Sequence, residues 1–365
     1  MRRKAPSFSP GKLIILHSKK TKMFDFRRLR SPIIQAPMAG GINTPELVAA
    51  SINAGVVGSF AFAYSSPEQI SKDIKAARSL LHSDAQGALN FNFFVAPENF
   101  EASAQDSEKA LNALKSVEFA GNLELNLAGP PYFPNLESQL EPVWKDPPDI
   151  LTFHFGVPDQ AILSQARSMN IKVGMTATSA QEAEKVEKAG GDFIVAQGIE
   201  AGGHRGVFQP DGEDKKLKTL ALIKMLTGSS KLPLVAAGGI MNRNQLITMT
   251  QAGATAVQMG TAFLTCAESG TSQEYKEMLL NQKTRPSLFT RAFSGRPARA
   301  LENEFISLMQ GQPLLPFPLQ NTMTASIRKK AQKLENPEYQ SLWAGENYRE
   351  CRKESVAELI ERMSL

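Results

Sequence analysis

The chain has 365 residues, of which 42% are hydrophobic and 21% are charged, as is ordinary for a globular protein. This length suits one large domain or a barrel with a smaller appendage. The formal net charge of +5 originates at the N-terminus, because ten basic residues and one acidic residue lie in the first 30 positions. Basic segments can contact nucleic acids or membranes. We interpret residues 1–22 instead as a solvated, disordered arm, and expect neither partner.

Membrane insertion and disulfide bonding also find no support in the sequence. The apolar run at residues 14–16 is too short for a signal-peptide core or a spanning helix, and no longer apolar stretch follows. The two cysteines, Cys266 and Cys351, are far apart and lack metal-ligand spacing. We therefore expect a cytoplasmic protein from a reducing compartment, without a metal site.

Short apolar runs rich in β-formers alternate with helical patterns along most of the chain. The predicted strands are residues 33–35, 56–59, 88–94, 150–154, 172–176, 193–197, 234–237 and 256–259. The predicted helices are residues 45–53, 67–81, 107–114, 160–168, 180–188, 219–226 and 243–251. Strict alternation indicates a parallel α/β sheet, and eight units favour closure into a (β/α)8 TIM barrel over residues 23–261. An open, doubly wound sheet remains the alternative.

The segments outside this alternation define the other predicted parts. The third connection, residues 96–148, is long and contains proline-rich turns, so we expect an insertion there. Residues 262–334 are interpreted as a small helical cap, and residues 335–365 as a helical segment that returns to the barrel.

Unusual polar and glycine-rich clusters follow the predicted strands. They are Gln-Ala-Pro-Met-Ala-Gly-Gly at 35–41, Asn-Phe-Asn at 90–92, Phe-His-Phe-Gly at 153–156, Gln-Gly-Ile-Glu-Ala-Gly-Gly-His-Arg-Gly at 197–206, Ala-Ala-Gly-Gly-Ile at 236–240 and Gln-Met-Gly-Thr at 258–261. Active sites of (β/α)8 barrels lie at the C-terminal ends of the strands. The sequence therefore predicts one active site built from these clusters.

Two of the clusters have the character of a phosphate site. Gly238–Gly239 permits close approach of backbone amides to an anion, and Gly260 with Thr261 adds amides and a hydroxyl after the last strand. Barrels often bind phosphate with the loops after strands seven and eight. The alternative is that these glycines only form tight turns.

A flavin would suit the remaining polar groups at the same face. The amides of Asn90, Gln197 and Gln258 match the edge of a flavin ring and its ribityl hydroxyls, and Met38 is placed to pack against the ring. Each of these residues can also be read as an ordinary strand-end residue. The dinucleotide fingerprint Gly-x-Gly-x-x-Gly is absent.

The four histidines divide into two pairs. His17 and His82 fall in the basic arm and at a helix end, and we expect both to be solvated. His154 and His204 fall at strand ends on the catalytic face. We predict that His204 is functional, whereas His154 lies between Phe153 and Phe155 and is open to a purely structural interpretation.

Together these runs, from about Phe24 to the C-terminus, resemble the nitronate monooxygenase family, formerly called 2-nitropropane dioxygenases, in its bacterial and fungal class. The Ser-Gly-Arg-Pro-Ala-Arg stretch at 294–299 also resembles the family's cap region. The segment Ser-Phe-Ala at 59–61 departs from the family, which commonly keeps a glycine-rich turn there. This departure leaves the size and shape of the substrate open.

The resemblance implies an FMN-dependent enzyme, active as a monomer or homodimer, that oxidises small alkyl nitronates such as propionate 3-nitronate with O2. It implies a carbonyl compound and nitrite or nitrate as products. It assigns catalysis to His204, the substrate pocket to His154, and FMN binding to Asn90, Gln197, Gly202, Gly239, Gln258, Met259, Gly260 and Thr261, beside Met38. The alternatives are an FMN-dependent NAD(P)H:quinone or enoyl-thioester reductase on the same barrel, and a flavin- or phosphate-binding protein without catalysis.

Overall fold

The computed structural model describes residues 24–95, 101–121, 123–125, 129–281 and 283–364. The predicted arm at residues 1–22 and part of the predicted insertion at 96–148 lie outside the described residues. Within them, eight parallel strands form a closed barrel, in which the last strand, at residues 256–259, pairs with the first, at residues 33–35. The predicted (β/α)8 barrel is therefore confirmed, and the open-sheet alternative is excluded.

The eight barrel strands lie close to their predicted positions, whereas three further strands were not predicted. The described strands are β1 (Ile33–Gln35), β2 (Val57–Ala61), β3 (Ala88–Phe94), β4 (Ile150–His154), β5 (Lys172–Ala177), β6 (Phe193–Gln197), β7 (Gly203–His204), β8 (Leu234–Ala237), β9 (Ala256–Met259), β10 (Ser287–Thr290) and β11 (Ala298–Leu301). The strand order around the barrel is β1-β2-β3-β4-β5-β6-β8-β9, so the strands that were not predicted are β7, β10 and β11.

Helices separate the barrel strands and continue beyond them. The described α-helices are α1 (Pro45–Asn53), α2 (Pro67–Ser79), α3 (Ala104–Lys115), α4 (Leu136–Lys145), α5 (Gln160–Ser168), α6 (Ala180–Ala189), α7 (Thr219–Thr227), α8 (Arg243–Gln251), α9 (Thr261–Leu264), α10 (Gln273–Asn281), α11 (Glu304–Leu308), α12 (Leu319–Met323), α13 (Ala325–Lys333) and α14 (Val356–Met363). Among the described residues, no helix is long and apolar enough to cross a bilayer.

Side-chain alternation along the strands separates two apolar layers. On β3, Leu89, Phe91 and Phe93 join the large cluster shared with the surrounding helices, whereas Ala88 joins a smaller cluster inside the barrel. This inner cluster also contains Phe26, whose ring lies 5.3 Å from that of Phe193. The N-terminal half of the barrel is thus filled with apolar side chains, and space remains only towards the C-terminal ends of the strands.

The segment after the barrel shares a second core with the connection between β3 and β4. Phe293, Phe305 and Ile327 form a buried cluster there with Ala110, Leu114 and other residues. Strands accompany the helices here, because β10, β11 and the short β7 form an antiparallel sheet in the order β10-β11-β7. Since β7 belongs to the loop after β6, this sheet fastens the segment to the mouth of the barrel.

Candidate active site

A cavity of about 480 Å3 lies at the C-terminal ends of the barrel strands, beneath α13 and the segment at residues 340–347. It is lined by every residue predicted for the site except Asn90. Those lining residues are Met38, His154, Gln197, Gly202, Gly239, Gln258, Met259, Gly260, Thr261 and His204. The clusters that are scattered along the sequence therefore meet around one cavity.

Asn90 lies below the cavity floor. Its Nδ2 donates to Ser59 Oγ at 3.0 Å, and its Oδ1 accepts from Thr152 Oγ1 at 3.1 Å. The neighbouring inward-facing residue, Asn92, lines the cavity instead, and its Nδ2 donates to Thr152 Oγ1 at 3.0 Å. The strand period of two places both amides on the same side. Of the two amides, it is therefore Asn92 that lines the cavity.

The glycine loops after β8 and β9 present their backbone to the cavity. Gly238 and Gly239 have φ values of +119° and +71°, a region that favours glycine. The amides of Gly238, Gly239 and Gly260 donate to no acceptor in the described parts of the chain. Unpaired amides in such turns form a concave anion site.

The C-terminal segment closes over these loops. Asn347 Nδ2 donates to the Gly239 carbonyl at 2.7 Å, and the Gly345 amide donates to Thr261 Oγ1 at 3.0 Å. A Cβ on Gly202 would come within 2.5 Å of the Gly345 nitrogen. Gly202 is therefore needed for close approach of two backbone segments.

Gln197 holds the loop that carries His204. Its Nε2 donates to the His204 carbonyl at 3.0 Å, and its Oε1 accepts from the Gly206 amide at 2.7 Å. The backbone of His204 is also paired with Ala298 of β11. The Gln197 side chain at the end of β6 and the pairing with β11 together fix the position of His204.

His154 uses both ring nitrogens within the protein. Its Nδ1 lies 2.9 Å from Thr176 Oγ1, and its Nε2 lies 3.3 Å from the His204 carbonyl oxygen. A carbonyl only accepts, so the bond to His204 requires the His154 proton on Nε2, and Nδ1 then accepts from Thr176. The residue after His154, Phe155, is buried and has a φ of +79°.

His204 has a different environment. Its Nε2 lies 2.8 Å from Ser294 Oγ, and its ring is surrounded by those of Phe94, Phe155, Phe317 and Trp343, with centroids 5.4–6.4 Å away. In the described residues, Nδ1 has no hydrogen-bond partner. The imidazole is thus surrounded by aromatic rings, while Nδ1 is left without a protein partner in this part of the structure.

A buried arginine adds positive charge behind both histidines. Arg296 is 1% exposed, and its guanidinium lies 3.8 Å from the centre of the Phe155 ring. Burial lowers the pKa of His154 and of His204 to about 3 in each case, and the charge of Arg296 acts in the same direction. Both imidazoles are therefore neutral at neutral pH.

The family model for nitronate monooxygenase matches residues 20–365. The chain belongs to this family. The predicted resemblance is confirmed, as is the prediction that the protein is an oxidoreductase.

Relatives of this nitronate monooxygenase family member span nearly its whole length. A probable nitronate monooxygenase from Staphylococcus saprophyticus is 35% identical over 94% of this chain and 96% of the relative. A nitroalkane oxidase from Streptomyces ansochromogenes is 33% identical, with a TM-score of 0.84 over 93% of this chain and 96% of that one. FabK from Thermotoga maritima has a TM-score of 0.70 at 24% identity, covering 93% of each chain, and shares the fold.

Several residues of this family member's cavity were not predicted from its sequence. They come from the C-terminal segment and from α13, and include Trp343, Asn347 and Arg328. Arg328 donates from Nη2 to the Asn321 carbonyl at 2.6 Å. No strand-end motif precedes these residues, so only the folded cap brings them to the barrel mouth.

Proposed function

We propose that the protein uses FMN to oxidise alkyl nitronates, such as propionate 3-nitronate, with O2. The products are a carbonyl compound and nitrite or nitrate. The observation that carries this proposal is the convergence, in a member of the nitronate monooxygenase family, of the predicted site residues on one cavity. Its partners are then a small nitronate and O2.

The donor groups fit FMN. The free amides of Gly238, Gly239 and Gly260, together with the Thr261 hydroxyl, would hold its phosphate. Gln197 and Gln258 keep amide hydrogens or lone pairs for the polar edge of the ring and the ribityl chain, Asn92 replaces Asn90 in this set, and Met38 would pack on the ring. When bound, the flavin supplies the electron-transfer chemistry.

The residues around His204 suit anionic or acidic substrates. No aspartate or glutamate lines the described part of the cavity, whereas Arg328 and Lys329 do. A nitronate is already deprotonated, so its oxidation needs no base. For a neutral nitroalkane, the neutral His204 would accept the proton that leaves carbon. The positive surroundings stabilise the nitronate that results.

The test begins with the purified holoprotein. We expect denaturation to release FMN, and anaerobic addition of propionate 3-nitronate to bleach the flavin spectrum until O2 is admitted. Product analysis should then find nitrite or nitrate in proportion to the O2 consumed. Release of FAD, or a flavin that responds to NADH or NADPH but to no nitronate, would contradict the proposal and favour a reductase.

A further inference from the structure

The loop between β10 and β11 provides a hydrogen-bond partner for His204. Ser294 in this loop is 1% exposed, and its Oγ lies 2.8 Å from His204 Nε2. The same hydroxyl lies 3.2 Å from the carbonyl oxygen of Arg296 and 3.4 Å from the amide nitrogen of Arg296. Three groups therefore compete for one hydroxyl, which has one proton to donate and two lone pairs.

The Arg296 carbonyl decides where the hydroxyl proton goes. It can only accept, and Ser294 is its donor in the described residues. A buried carbonyl that is left without a donor loses its solvation without replacement and destabilises the fold. If Ser294 donates to this carbonyl, its lone pairs accept from the Arg296 amide and from His204 Nε2–H. All four groups are then satisfied.

The opposite arrangement satisfies fewer groups. If Ser294 donated to His204 Nε2, the carbonyl of Arg296 would lose its donor. The His204 proton would then lie on Nδ1, for which the described residues offer no acceptor. Since this arrangement leaves the buried Arg296 carbonyl without a donor, the tautomer with the His204 proton on Nε2 is favoured.

We propose that Ser294 is a positioning residue, which holds neutral His204 with its proton on Nε2 so that Nδ1 is the proton acceptor facing the cavity. Ser294 therefore acts through His204, while Gln197 and His154 hold the His204 carbonyl from the other side. The burial and the nearby Arg296 that lower the His204 pKa keep the accepting form populated.

The chemical consequence concerns neutral nitroalkanes, and this part of the inference rests on the proposed function. The C–H bond next to the nitro group breaks, its electron pair remains on the substrate as the nitronate, and its proton moves to His204 Nδ1. The resulting imidazolium still donates from Nε2 to Ser294. Preformed nitronates bypass this step, so Ser294 should matter much less for them.

The tautomer can be measured directly. We would record long-range 1H–15N spectra of the holoprotein labelled with 15N-histidine at neutral pH, and assign His204 by the signals that disappear in His204→Asn. The expected pattern is a protonated Nε2 and an unprotonated Nδ1. A wild-type protein with the His204 proton on Nδ1 overturns the inference, whether or not any variant folds.

Variants of Ser294 test the positioning role. Ser294→Ala should give a mixture of tautomers and lower kcat/KM on a neutral nitroalkane about tenfold or more, with an effect of about twofold or less on its nitronate. Ser294→Thr keeps the hydroxyl and should restore both the spectrum and the activity. Ser307→Ala removes an exposed hydroxyl that donates to the carbonyl of Asn303, the residue before α11, and serves as the control.

The results separate the two proposals. An unchanged tautomer in Ser294→Ala, or equal losses on nitroalkane and nitronate, overturns the role of Ser294. If the holoprotein oxidises neither compound, the proposed function fails, and the wild-type and Ser294→Ala spectra still decide the tautomer and its dependence on Ser294.

Discussion

The two histidines at the barrel mouth differ in what their ring nitrogens already bind. His154 uses both, through Thr176 and the His204 carbonyl, so it has no nitrogen left for a substrate. His204 uses Nε2 for Ser294, whereas its Nδ1 has no hydrogen-bond partner among the described residues. Proximity to the cavity alone would not separate them, because both line it. Their hydrogen-bond partners distinguish the two histidines.

Substitution of each histidine should therefore have a different effect. His204→Asn should retain FMN and lower kcat/KM on a neutral nitroalkane by about two to four orders of magnitude, because asparagine cannot accept the proton. Its loss on the nitronate should be much smaller. His154→Asn should weaken both activities alike, since it disturbs the loop rather than the chemistry. Equal losses on both substrates in His204→Asn would remove the general-base role.

Asn90 and Asn92 form a second matched pair. Asn92→Ala should raise the FMN dissociation constant several-fold, because one hydrogen bond contributes about 0.5–1.5 kcal/mol. Both Asn92→Ala and Asn90→Ala should lower the free energy of unfolding by about 1–3 kcal/mol, because each removes a buried partner of Thr152. Asn90→Ala should leave the FMN dissociation constant unchanged, because Asn90 does not line the cavity. Fluorescence titration with FMN and urea unfolding measure the two quantities. If Asn90→Ala raised the FMN dissociation constant and Asn92→Ala did not, Asn90 would be the flavin ligand.

At the scale of elements, sequence periodicity was sufficient for the barrel but not for the cap. The strands at 33–35, 88–94, 150–154, 193–197, 234–237 and 256–259 have the bounds predicted for them. Buried parallel strands are continuous apolar runs, which a sequence displays directly. In contrast, β7 has two residues and β10 and β11 have four each, and β7 pairs with β11 through Ala298 and His204, which lie 94 positions apart in the chain. Such short strands carry little periodicity of their own.

The same limit explains which site residues were found. A motif at the end of a predicted strand must lie at the C-terminal end of the barrel. This reasoning placed His154, His204, Gln197 and the glycine loops at the cavity. The strand period of two points both Asn90 and Asn92 into the barrel, so either could line the cavity. The sequence does not show at which residue the apolar filling of the barrel ends. Arg328 and Asn347 follow no barrel strand, so their place in the cavity comes from tertiary packing alone.

Closure of the C-terminal segment over the loop at 197–206 can be tested through Gly202. Gly202→Ala should displace residues 344–345, because its Cβ would lie 2.5 Å from the Gly345 nitrogen and 2.7 Å from the Ala344 carbonyl carbon. The Asn347 bond to Gly239 should weaken with it, so FMN affinity should fall. Gly129→Ala, where an added Cβ meets nothing within 4 Å, is the control. Unchanged FMN affinity in Gly202→Ala would show that the segment does not close the flavin site.

Across the whole molecule, the cap and the C-terminal segment convert an open barrel mouth into a cavity whose charge is biased towards positive. Arg296 lies behind the histidines, and Arg328 lies on the cap side. Burial at this mouth also lowers the pKa of both imidazoles, to about 3 in each case. The same neutral imidazoles that serve the proposed function should therefore make the free energy of unfolding depend on pH. This dependence can be measured without any substrate.

This link predicts how stability depends on pH. In the unfolded chain both histidines titrate near their usual pKa of 6.5, whereas in the folded protein the pKa of each is lowered to about 3. Between these values the unfolded state binds more protons, so the free energy of unfolding falls as the pH drops below about 6.5. Each histidine contributes a slope of up to about 1.4 kcal/mol per pH unit. Urea unfolding between pH 7.5 and 5 measures the total slope.

His154→Asn should make this slope shallower, whereas His82→Asn, at an exposed position, should leave the slope unchanged. An equally steep slope in His154→Asn would mean that His154 is not buried in its neutral form.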